Sequence, residues 1–218
     1  MTVSDDERDL PIRCTCGTLR GVLRGISSAR GNRGVCYCDD CQSFAHFLGR
    51  PAEILDEHGG TEVFQTSPAR VEIAAGADRL ACIRLTPKGL LRWYASCCRT
   101  PIGNTLATPK IPFVGLVRAC LAADDAALES VLGPVRYRGM GRFAKGDISG
   151  LDVRERFSLG SLARVTGIIV GAKLRGDARR SPFFDAANGE PVAAPNVLSE
   201  EELRRIETAR DRYAPSSG

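Results

Sequence analysis

The stretch GVCYCDDCQSF, residues 34–44, sets three cysteines at the spacing C-x-C-x-x-C among polar residues. Cys36 and Cys38 are two apart, so on a strand both side chains leave from the same face. Cys41 follows at the start of a run in which Phe44, Phe47 and Leu48 recur at helical spacing. The chain is therefore expected to turn into a short helix over residues 39–48 and bring the third sulfur back. Three thiolates so placed can converge on one ion at about 2.3 Å. Zinc is the expected metal, because thiolate-rich tetrahedral sites select zinc or iron–sulfur clusters and this spacing matches no ferredoxin pattern. Three protein ligands leave one coordination position for chemistry, whereas a closed structural site needs a fourth. His46, five residues past Cys41, is the nearest candidate for that fourth ligand. Asp39 and Asp40 lie between the thiols and read as solvated carboxylates. No residue is singled out as a catalytic acid or base.

A second group of cysteines brackets the first. RCTCG supplies Cys14 and Cys16 ahead of Gly17, which permits a tight turn, and YASCCRTP supplies Cys97 and Cys98. Two short pairs far apart in sequence can close a structural zinc site that joins segments a sheet alone would hold weakly. Adjacent residues of an extended strand point to opposite faces, so Cys97 and Cys98 share an ion only if the chain turns between them. The Arg-Thr-Pro that follows is a turn signal. Cys82 and Cys120, in RLACIRL and VRACLAA, read as small buried apolar residues. His58, in DEHGG, reads as a turn residue.

Around these groups, residues 10–118 read as a β domain. TLRGVL, TEVFQ, RVEIAAG, LACIRL and LLRWYAS carry alternating or β-branched residues and are separated by turn signals such as HGG, TSP and TPKG. Regular spacing of this kind predicts antiparallel sheets. Arg92, Trp93 and Tyr94 either line a pocket or continue a strand, and alternation on a strand turns the indole away from its two neighbours and into a core. From residue 119 to 218 an extension is expected, with helices near 124–132, 157–174 and 199–213. Ser199 with Glu202 three residues later is a capping-box pattern for the last of these. In the second, Gly160, Ala163, Gly167 and Gly171 line one face, and Leu162, Val165 and Ile169 the other. The expectation is a helix buried on two sides, within one domain or in a dimer, since helices apolar all round usually are. The basic residues that follow, Lys173, Arg175, Arg179 and Arg180, would also suit a membrane surface.

Composition narrows the class. Across 218 residues, 43% are hydrophobic and 26% charged, as in ordinary globular proteins. A net charge of +4 with no concentrated basic face does not indicate a nucleic-acid partner. No run approaches the roughly 18 apolar residues of a transmembrane segment. The opening MTVSDDERDLPIRC has no basic n-region followed by an apolar stretch, so a cytoplasmic protein is expected. In that compartment nine clustered, odd-numbered cysteines point to metal or catalysis rather than to disulfides.

The order C-x-C-G, then C-x-C-x-x-C, then a late cysteine before Thr-Pro resembles the glutathione-dependent formaldehyde-activating enzyme family, to which centromere protein V is related. The match covers roughly residues 12–106. The longer strings CYCDDCQSFAHFLGR and LRWYASCCRTPIGNT look most like an uncharacterised bacterial branch of that group. The resemblance implies a β-tent, small antiparallel sheets pinned by zinc, with appended helices. It implies two zinc sites: a structural one at Cys14, Cys16 and Cys98, and one assigned to catalysis at Cys36, Cys38 and Cys41. The family's remaining structural ligand falls on Ala95, a departure for which Cys97 is the substitute at hand. The second site, with three protein ligands, is expected to be the more labile.

What the resemblance implies for function is a carbon–sulfur lyase acting on a glutathione–formaldehyde adduct or a similar thiol adduct. A zinc that already carries three thiolates is a weak Lewis acid and is better suited to capturing a further thiol. Two other readings stand beside this one. One is a non-enzymatic zinc-stabilised scaffold that meets a partner, a membrane surface or a second copy through its extension. The other is a thiol-redox or metal-buffer protein.

Overall fold

A computed structural model describes residues 7–214. The strands, in chain order, are β1 (Arg8–Arg13), β2 (Arg20–Ile26), β3 (Asn32–Cys36), β4 (Thr61–Thr66), β5 (Val71–Ala75) and β6 (Leu80–Arg84). They continue with β7 (Leu91–Ala95), β8 (Thr100–Thr105), β9 (Val114–Val117), β10 (Tyr137–Gly139) and β11 (Asn196–Val197). The helices are α1 (Asp39–Phe47), α2 (Pro51–Ile54), α3 (Asp125–Leu132), α4 (Leu159–Leu174) and α5 (Glu200–Arg212). The chain is thus mainly β with appended helices, and α1, α3, α4 and α5 fall where periodicity and caps predict them.

Two sheets carry the fold. The smaller has the order β1-β2-β5 and is antiparallel. Its strand β1 alternates strictly, with Leu10 and Ile12 buried and Asp9, Pro11 and Arg13 exposed, so one face meets the core and the other water. The larger sheet has the order β10-β3-β4-β9-β8-β7-β6-β11. Its central strands β8 and β9 are buried at every position, as strands covered on both faces must be. Leu10, Ile12, Leu23 and Ile26 of the small sheet share one core with Trp93, Ile102, Val114 and Leu116 of the large one. Trp93 is fully buried, and its indole N–H donates to Thr105 Oγ1 at 2.9 Å. Cys82 and Cys120 lie in this core as the small apolar residues they were read to be.

Within residues 10–118 the strand pairings are antiparallel, as expected, and two parallel pairings are added at the edges of the large sheet. β10 pairs parallel with β3, and β11 pairs parallel with β6. Both come from the region after residue 118, which therefore completes the large sheet. A Pro-rich connection adds Phe183 and Phe184, whose rings lie 5.2 and 6.3 Å from that of Trp93. The capping box at Ser199 and Glu202 starts α5. α5 lies along α1, where Arg210 donates to Ser43 Oγ at 3.2 Å and pairs with Asp39 at 3.8 Å.

Within this chain α4 is covered on one side only, not on two as expected for burial within one domain. Of its residues only Ser161 and Ala172 are buried, while Leu159 and Leu174 are 85% and 84% exposed. The helix packs one face on β3 and β4 and leaves an apolar face outward. The sequence pattern, apolar nearly all round, does not say which side is covered. Among the described residues no helix is long and apolar enough to cross a membrane.

Candidate metal centres

All nine cysteines are free thiols, and seven of them gather into the two groups expected from their spacing. The first is Cys14, Cys16, Cys97 and Cys98. Cys14 and Cys16 sit in the turn after β1, closed by Gly17 N–H donating to Cys14 O at 2.9 Å with Gly17 at φ 77°. Leu19 N–H donates to Cys14 Sγ at 3.2 Å. Cys97 and Cys98 lie in a turn between β7 and β8, where Arg99 N–H donates to Ala95 O at 2.7 Å. Arg99 takes φ 58°, a left-handed conformation that a non-glycine residue adopts only when its surroundings impose it. Its guanidinium donates to Leu48 O at 3.1 Å and also to Phe47 O, which ties the turn to the end of α1.

That turn meets the condition for two adjacent cysteines to share an ion. The sulfur separations are 3.5 Å for Cys14–Cys16, 3.8 Å for Cys14–Cys97, 3.4 Å for Cys16–Cys97 and 3.9 Å for Cys97–Cys98. A tetrahedral ion with metal–sulfur bonds of about 2.3 Å has edges of about 3.8 Å, so the donor set fits a metal ion. Ala95 is a buried residue of β7 outside the group, and Cys97 belongs to it. The exposed Cys16 thiol is lowered to about 6, chiefly by hydrogen bonds from the Thr18 hydroxyl and backbone N–H. A thiol so poised gives up its proton readily to a metal.

The second group is Cys36, Cys38 and Cys41, with ligand atoms within 4.8 Å of one another and Cys36 and Cys38 sulfurs 3.4 Å apart. Cys36 ends β3, Cys38 caps the N-terminus of α1, and Cys41 lies in its first turn. Hydrogen bonds from the Cys36 and Cys38 thiols, and further out the Arg92 guanidinium, hold the Cys41 thiol well below its ordinary value against the effect of burial. His46 does not join this group. Its ring lies edge-on to Tyr213 at 5.1 Å, and burial with the charges of Lys145 and Arg210 lowers its pKa.

The three thiols form part of the wall of a cavity of about 500 Å³. Its floor comes from the large sheet, through Val63, Gln65, Arg92, Asn104 and Gly115. Its roof is the segment that carries Tyr137, Met140, Phe143 and Phe157. Arg92 is 2% exposed, with Nη1 at 4.0 Å from Cys41 Sγ and 3.3 Å from Asn104 Oδ1 and Nη2 at 3.2 Å from Asp40. Asp40, read as merely solvated, is thus the carboxylate partner of a buried cation, and Asp39 is that of Arg210.

Tyr137 is the second residue the sequence did not single out. Its hydroxyl is buried with no hydrogen-bond partner, and burial followed by the charge of the three thiols pushes its pKa up, so it stays protonated. Its ring lies on Gly34, where an added Cβ would fall 2.0 Å from a ring carbon. The residues around 137–157 show no metal or catalytic spacing, and only the parallel β3–β10 pairing brings Tyr137 to the cysteines.

A family model described as "Family of unknown function (DUF6151)" matches residues 7–196. The chain belongs to this family. The match spans both cysteine groups and every strand of the large sheet up to the start of β11, so the DUF6151 unit includes the segment that roofs the cavity. No curated protein matches this DUF6151 chain.

Proposed function

We propose that this chain is a zinc protein in which Cys14, Cys16, Cys97 and Cys98 would hold a structural ion, while Cys36, Cys38 and Cys41 would hold a second ion beside a cavity that receives a substrate thiol. The reaction is that of a carbon–sulfur lyase, the reversible addition of a thiol to an aldehyde. The observation that carries this reading is the placement of the three thiols in the wall of an apolar cavity beside a buried guanidinium. Thiolate-only donors select zinc over harder metals. When bound, zinc holds a thiol deprotonated and nucleophilic near neutral pH. Thiol ligands also fit a reducing cytoplasm.

The chain's own groups have the following roles. Arg92 offsets the excess negative charge of the thiolate cluster in a medium where water does not screen it. The sulfur–carbon bond forms as the carbonyl π electrons move to oxygen, and the proton of the thiol ends on that oxygen. Tyr137 lines the cavity and has a buried O–H with no partner, and it is the group we assign to donate a hydrogen bond to that oxygen. Val63, Leu90, Phe113, Phe143 and Phe157 exclude water and favour a substrate with an apolar body. Glutathione has two carboxylates, yet among the described residues the one cation on this wall is Arg92, already paired with Asp40, and Asp39 stands beside it. An apolar thiol adduct is therefore preferred over the glutathione adduct.

The test is native mass spectrometry of zinc-loaded protein with benzyl mercaptan and with glutathione. The expected result is two zinc ions and a benzyl mercaptan adduct that is lost in Cys41→Ser. In Tyr137→Phe binding is expected to persist, with thiol–aldehyde turnover reduced about 100-fold or more. Failure of both thiols to bind the two-zinc protein would overturn the reading.

A further inference from the structure

We infer that α4 and the cavity along its flank form a docking face for an anionic lipid surface, a role independent of the thiol chemistry. Two observations meet here. The outward face of α4 carries Leu159, Leu162, Val170 and Leu174, exposed by 85%, 49%, 50% and 84%, with the exposed Thr166 and Lys173 among them. Beside it lies a cavity of about 350 Å³ lined by Arg30, Arg70, Arg164 and Arg175, and bordered on the helix by Gly167 and Gly171.

These arginines are held in place with little opposing charge. Arg164 donates to the carbonyls of Gly31 at 3.0 Å and Ser28 at 2.7 Å, and Arg70 to those of Arg24 and Gly25. The nearest carboxylate oxygen to Arg70 is 4.0 Å away, on Glu7, which also serves Arg30. Arg175 shares Asp177 with Arg180. The cavity therefore presents two guanidinium groups fixed by neutral carbonyls, Arg70 and Arg164, beside two that pair with carboxylates, Arg30 and Arg175, a geometry suited to the tetrahedral oxygens of a phosphate. A side chain added at Gly167 would meet nothing within 4 Å, so this flank is open to a ligand.

The charge pattern selects the occupant. Between residues 156 and 180 the chain has six cations, Arg156, Arg164, Lys173, Arg175, Arg179 and Arg180, and one carboxylate, Asp177, which is buried and paired. A second copy on this face would bring cationic segments together, whereas an anionic lipid surface neutralises them. On the helical projection the arginine flank lies about a third of a turn from the apolar stripe. A helix lying in the plane of a bilayer interface, with its apolar face below the headgroups, would hold that flank at the depth of the lipid phosphates.

The experiment is flotation of the full, metal-loaded chain with vesicles of phosphatidylcholine containing about one-third phosphatidylglycerol, against vesicles of phosphatidylcholine alone. We expect binding to the first and not the second, weakened at least about tenfold in Leu159→Gln/Leu174→Gln and, separately, in Arg175→Gln. Both leucines are exposed, so unchanged circular dichroism and metal content would show that the variants fold. Absence of binding to the anionic vesicles overturns the inference. So does binding that survives Leu159→Gln/Leu174→Gln and vanishes with salt, which is unspecific charge attraction. Light scattering that shows a dimer broken by Leu159→Gln/Leu174→Gln would assign the face to a second copy. Saturable binding of inorganic phosphate without vesicle binding would reduce the site to a pocket for a free anion.

Discussion

Cys14 and Cys97 are 83 positions apart and meet only because the two sheets fold over one core, whereas Cys36, Cys38 and Cys41 come from one strand end and the helix that continues it. The first group closes a long loop from two turns, so an ion held there would stabilise the fold. The second is preset by local backbone geometry, faces a cavity and has a buried cation beneath it, so an ion held there would be free to serve a ligand. Chain connectivity, more than the number of thiols, separates a structural centre from one open to chemistry.

The sharpest way to break this contrast is to remove one sulfur from each group. Cys98→Ser should lower unfolding stability by about 3–5 kcal/mol in a urea titration, because a large loop loses its clamp. Cys41→Ser should cost about 1 kcal/mol or less while reducing bound zinc from two ions to one. Equal losses of stability would mean that both ions are structural.

Smaller in effect, Arg92→Met should weaken zinc at the three-cysteine group about 10–100-fold in competition with a chromogenic chelator, leaving the four-cysteine group unchanged. Asp40 is more than half exposed and returns to solvent when its partner is lost, so the variant folds. An unchanged affinity would remove Arg92 from the site.

The smallest effect concerns reactivity. In protein stripped of metal, Cys16 should alkylate at full rate above about pH 6, where it is a thiolate, and slow by roughly tenfold for each unit below. Zinc should protect it. Mass spectrometry of iodoacetamide-treated protein at a series of pH values reads both, and a midpoint near 9 would mean that Thr18 does not stabilise the thiolate.

The cysteine groups were legible because metal spacing is a local property: two thiols on one strand face and a third at a helix start. Most strands and the capped helices were legible for the same reason. Arg92 and Tyr137 were not. Strand alternation shows that Arg92 and Trp93 face opposite ways, but only the packing of the small sheet against Trp93 sends Arg92 to the cavity. Tyr137 reaches the site through a parallel pairing across a hundred residues, for which no nearby residue is a cue. Which side of α4 this chain covers was not legible, because hydrophobicity records the tendency to be covered and does not specify a cover within the same chain.

Gly34 lies two residues before Cys36, and the ring of Tyr137 rests on it with no room for a methyl group. Positions 34 and 137 are therefore bound to change together over evolutionary time. Within DUF6151, a lineage that gains a side chain at 34 must surrender the aromatic ring at 137, and with it the lid over the thiols. Co-occurrence of the glycine and the tyrosine is thus a marker, readable from sequences alone, that sorts relatives retaining an enclosed centre from those whose cysteines face open solvent.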